Sequence, residues 1–63
     1  MYDKTMYNQF GDEINIDADK GRGTVWLTMY STEDGEREII SLTYDEFIKL
    51  RQMLTEAFSE MGW

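Results

Sequence analysis

Apolar side chains recur along this chain with two different periods, and each period predicts an element. Phe47, Leu50, Leu54, Ala57, Phe58 and Met61 fall three or four residues apart, which gathers them into one stripe of a helix. Lys49, Gln52, Glu56, Ser59 and Glu60 fall mostly on the other side. Thr43 is followed three residues later by Glu46, a capping box in which each side chain satisfies a backbone N–H that the first helical turn leaves unpaired. Leu42 and Phe47 flank that cap at the spacing of a hydrophobic staple, and Asp45 and Glu46 sit where the helix dipole favours negative charge. Gly62 is placed to end the run. The pattern predicts a helix over 44–60.

Upstream the period shortens to two. Val25, Leu27 and Met29 alternate with Trp26, Thr28 and Tyr30. Ile40 and Leu42 alternate with Ile39 and Ser41, and Ile14, Ile16 and Ala18 alternate with Asn15 and Asp17. These predict strands over 24–31, 38–42 and 13–18. The Asp34-Gly35 pair marks a hairpin between the later two, because glycine accepts the positive φ such turns need. Asp19-Lys20-Gly21-Arg22-Gly23 reads as the turn before Thr24. Residues 1–10 fit either a helical turn through Met6, Tyr7 and Phe10 or a short edge strand over 5–10. The expected fold is α+β, a single small domain over 1–63. A three-stranded antiparallel β-meander (13–42) is closed by one C-terminal helix (44–60) packed on one face. One helix covers one side of such a sheet. The opposite side, with Trp26, Tyr30 and Ile39, is then either left as an apolar patch or covered by residues 1–10, a second subunit or another partner, and these three are the candidate dimer-interface residues.

Composition narrows the chemistry. Thirteen acidic residues oppose six basic ones, a net charge of −7, and there is no His and no Cys. The side chains that most often shuttle protons, attack as nucleophiles or hold soft metals near neutral pH are therefore missing, so the chain is expected not to be an enzyme and to need no cofactor or metal. The Asp17–Gly21 stretch does not make a calcium loop. Arg22 stands where such a loop needs Gly, and Thr28 where Glu closes it. At 41% hydrophobic and 14% aromatic residues the chain is too apolar for disorder, yet its length leaves little room for a core and no disulfide can staple it. Association is the remaining source of stability, so a homodimer is expected. The negative field repels nucleic acid and anionic membranes and attracts basic protein surfaces. No apolar run is long enough to span a membrane and Met-Tyr-Asp-Lys lacks a signal peptide's apolar core, so a cytoplasmic protein is expected.

Carboxylates cluster near aromatics at two places: Tyr44, Asp45, Glu46 and Phe47 at the helix start, and Glu33, Asp34, Glu36 and Glu38 along the hairpin. Spaced carboxylates imitate phosphates, and an aromatic between them lines a pocket. The segment Tyr30-Ser31-Thr32-Glu33-Asp34-Gly35 through Ile40-Ser41-Leu42-Thr43-Tyr44-Asp45-Glu46-Phe47 resembles the short uracil-DNA glycosylase inhibitors encoded by small Bacillus phages. In that family an acidic Asp-Gly hairpin leads to a strand ending Leu-Ser-Leu-Ser and a helix opening on Asp-Phe-Glu. With one extra residue before it, Phe47 matches the family's pocket-forming Phe; Arg51 stands where the family has an aromatic. The resemblance covers about half the chain. It implies a homodimeric DNA mimic, made in the bacterial host cytoplasm by a phage, that traps the glycosylase's probing leucine in an apolar pocket at the dimer interface. Tyr44, Asp45, Glu46, Phe47, Leu50, Glu36 and Glu38 would then contact the partner. The same strand-to-helix junction is also similar to the end of the transcription-coactivator type of single-stranded DNA binder, whose sheet is basic where this chain is acidic. The competing expectation is a small dimeric interaction module, or an anti-defence protein, that binds another host protein without DNA mimicry.

Overall fold

The four short segments with two-residue alternation pair in chain order. The computed structural model describes all 63 residues and contains β1 (Tyr2–Tyr7), β2 (Glu13–Asp19), β3 (Thr24–Tyr30), β4 (Arg37–Leu42) and α1 (Tyr44–Glu60). The strands form one antiparallel sheet in the order β1-β2-β3-β4. The expected meander thus has four strands, not three. The additional one is the N-terminal edge strand that the pattern allowed as an alternative to a helical turn, but it runs over Tyr2–Tyr7 and not 5–10. What fixes it lies on the neighbouring strand. The Asn15 amide on β2 donates to the Asp3 carboxylate at 2.7 Å, the Thr5 hydroxyl at 2.9 Å and the Lys4 carbonyl at 3.1 Å.

Cross-strand partners share a face, so the register sorts every side chain. Tyr2, Ala18, Val25 and Leu42 form one row across the sheet. Lys4, Ile16, Leu27 and Ile40 form the next, and Met6, Ile14, Met29 and Glu38 the third. This is the apolar face, and its only charges are Lys4 and Glu38. The polar face carries Asp3, Asp17, Trp26 and Ser41, then Thr5, Asn15, Thr28 and Ile39, then Tyr7, Glu13, Tyr30 and Arg37. The alternation expected for β2, β3 and β4 is the one observed.

Turns follow local chemistry. At 31–36 the Ser31 N–H donates to the Glu36 carbonyl at 3.1 Å, and Gly35 takes the positive φ of 71° that the Asp-Gly pair foretells. At the same end of the sheet the 8–12 loop is tied to it. The Thr32 N–H and hydroxyl donate to the Asp12 carboxylate at 2.8 and 3.0 Å, and the Asn8 amide donates to the other Asp12 oxygen at 3.0 Å.

The helix begins as its cap dictates. Thr43 is the N-cap, and the Thr43 N–H donates to the Glu46 carboxylate at 2.8 Å while the Glu46 N–H donates back to the Thr43 hydroxyl at 3.5 Å. The packing is not the expected one. Phe47, Ile48 and Leu50 are half-buried, but every residue from Arg51 to the C-terminus is exposed, and α1 approaches only β3 and β4. The molecule measures 33 × 31 × 16 Å, so a 17-residue helix about 25 Å long lies within the plane of the plate and runs off the sheet. The reason is the connection. Thr43 alone joins β4 to α1, and a single capped residue gives the helix no slack to fold back over the sheet. No residue of the chain is buried. No helix is long and apolar enough to cross a membrane.

Candidate functional site

Where α1 leaves β4, the first row of the apolar face and the first helical turns enclose a groove of about 570 Å³. Tyr2, Ala18 and Val25 come from that row, one from each of β1, β2 and β3; Met1 extends it, and Tyr44 and Phe47 close it from the helix. Asp19, Lys20, Gly23 and Thr24, from the turn between β2 and β3, form its polar edge. Each wall has a local cause. The pairing Tyr2–Ala18–Val25–Leu42 lines up the floor. The capping box sets the helix axis directly after Leu42, which turns Tyr44 and Phe47 toward that floor, with Asp45 and Glu46 beside them.

The residues singled out in the sequence are distributed as follows. Tyr44 and Phe47 line the groove, and half-buried Leu50 lies one turn beyond. Glu46 is committed to the cap. The hydrogen bonds from the Thr43 backbone, and secondarily its side chain, hold the Glu46 carboxyl below its usual range. Asp45 makes no ion pair and is exposed. Glu36 and Glu38 are at the other end of β4, about 20 Å of extended chain away from Tyr44. The two acidic clusters therefore do not meet around one site. Trp26, Tyr30 and Ile39 share the polar face in three successive rows, each beside polar partners. Trp26 lies opposite Asp17 and Ser41, Ile39 opposite Thr28, and Tyr30 between Glu13 and Arg37. The Arg37 guanidinium stands 5.0 Å above the Tyr30 ring and 3.8 Å from the Glu13 carboxylate.

Several contributors were invisible in the sequence. Met1, Tyr2, Ala18 and Val25 are far apart in the chain, and only the pairing of β1 brings them to Phe47. The polar face also gathers Asp3, Glu13, Asp17 and Asp19 on two adjacent strands, with Asp3 directly opposite Asp17. Like charges so placed oppose the pairing. One Asp17 oxygen is enclosed and has no hydrogen-bond partner. At the far end of the apolar face a smaller groove, about 250 Å³, lies between Met6, Ile14 and Met29 with Asp12, Tyr30 and Ser31 at its edge. No three potential ligands converge on a metal position. No protein-family model matches the chain, and no curated protein or solved structure is significantly similar to it.

Proposed function

We propose that this chain is a small acidic inhibitor that binds the nucleic-acid-binding surface of another protein, with a DNA-processing enzyme, and uracil-DNA glycosylase first, as its target. The observation that carries this reading is the groove: an apolar floor walled by Tyr44 and Phe47, with Asp19 and Lys20 on its polar edge and exposed Asp45 following Tyr44 in the chain. An open apolar groove without converging hydrogen-bonding groups in its floor is poorly suited to fix a small polar metabolite. It suits an apolar side chain projecting from a basic protein surface, which the carboxylates would meet at the rim. Phage origin and action in the host cytoplasm belong to the same proposal and rest on the resemblance of the 30–47 segment.

The test is a titration of uracil excision against added chain. Stoichiometric loss of activity, with association slowed by salt, supports the reading. Phe47→Ala should weaken binding by about 2 kcal/mol or more if the ring is a central anchor. Its far-UV spectrum and mass must match the wild type for that result to count. Full glycosylase activity at excess wild-type chain discards this target. The second reading, an interaction module without DNA mimicry, is favoured by a different observation: exposed apolar side chains on the sheet face continue beyond the groove to Met6, Ile14, Met29 and Ile40.

A further inference from the structure

The single chain has surface to spare. A compact monomer of 7.5 kDa exposes about 4,200 Å², whereas this one exposes 5535 Å². Its radius of gyration is 13.2 Å, against about 10.6 Å for a compact domain of this length. The excess of about 1,300 Å² falls within the 1,000–2,500 Å² or so that each partner buries in an obligate dimer. Two open surfaces account for it. One is the apolar sheet face, centred on Ile16, Leu27 and Ile40. The other is the distal helix stripe of Leu54, Phe58 and Met61, where Phe58 meets Trp63 edge-on at 6.2 Å.

We infer that two copies of the chain close on each other, each laying the distal half of α1 across the apolar sheet face of its partner. The two surfaces match in kind and in length. The stripe from Leu50 to Met61 runs about 17 Å, and a seven-residue strand about 23 Å. Its own helix cannot cover the sheet, because the one-residue Thr43 connection is locked by the Glu46 carboxylate at 2.8 Å. A partner's helix has no such tether. A two-fold axis makes the exchange reciprocal, so one interface covers both sheets and both helices. A second copy also suits the charge. The apolar face carries only Lys4 and Glu38, which cancel, so two chains of net charge −7 can approach there while Asp3, Asp17 and Asp19 face outward. In this arrangement Trp26, Tyr30 and Ile39, on the opposite face, stay outside the interface, while the Tyr44–Phe47 groove shares the covered face through its floor of Tyr2, Ala18 and Val25.

The experiment uses the wild-type chain. Sedimentation equilibrium at micromolar concentration should give twice the 7.5 kDa chain mass. Isotope-filtered NOE spectra of a mixed labelled and unlabelled sample should show contacts between chains from Leu54 and Phe58 to Ile16 and Leu27. Leu54→Asp should weaken the dimer at least a hundredfold. A monomer mass overturns the inference. So does a dimer whose helix-to-sheet contacts are confined to one chain, or one whose contacts between chains come from Trp26, Tyr30 and Ile39.

Discussion

If folding and pairing are one event, the unfolding temperature must depend on protein concentration, and the size of that dependence can be worked out. No residue is buried in the single chain, so a lone copy has no enclosed core to hold it together. Unfolding then converts one dimer into two chains. Raising the total concentration tenfold stabilises the dimer by about 1.5 kcal/mol near the transition. Unfolding entropy near 60 °C is about 2.1 cal/mol/K per residue, or about 265 cal/mol/K for two copies of this 63-residue chain. The ratio predicts a rise of about 6 °C for each tenfold increase. Circular dichroism at 222 nm, scanned at about 1, 10 and 100 μM, should therefore give midpoints spread over about 11 °C. A midpoint constant to within about 1 °C across that range would show that the monomer folds by itself. Area bookkeeping that assigns about 1,300 Å² to an interface would then be wrong.

Two further outcomes follow from the polar contacts. Thr43→Ala should cost about 1 kcal/mol in urea unfolding. Glu46→Ala should cost more, since the bond it removes is charge-assisted at 2.8 Å whereas the one lost with the Thr43 hydroxyl is 3.5 Å long; the reverse order would contradict the cap geometry. The Asp12 carboxyl is held below its usual value of 3.8, chiefly by the Thr32 backbone N–H and then by the Asn8 amide and Thr32 hydroxyl. Its folded value is depressed, so its contribution is full above the unfolded value and disappears as pH falls through the folded one. Urea midpoints measured from pH 6 downward should therefore begin to drop near pH 4. Asp12→Asn should flatten that drop, and equal slopes for the two proteins would remove Asp12 from the acid response.

The helix bounds, the faces of three strands and the positions of two turns depend on residues within a few positions of one another. A capping box, a 3.6-residue stripe and an Asp-Gly pair act locally, so the sequence displays them. Net charge and the missing His and Cys are likewise sums over the chain and need no fold. Strand β1 was not visible in this way. Tyr2–Tyr7 has only one β-branched residue and places Lys4 on the apolar side; it is a strand because Asn15, ten residues or more away, bonds three of its groups. Register decided the rest. It put Tyr2, Ala18 and Val25 in one groove with Phe47, set Asp3 against Asp17, and left Glu36 and Glu38 at the opposite end from the helix start. The stripe of α1 foretold an apolar contact but not its owner, because a periodic pattern records that a face must be covered and says nothing of what covers it. Only the direction in which the capped helix leaves β4 shows that its own sheet does not.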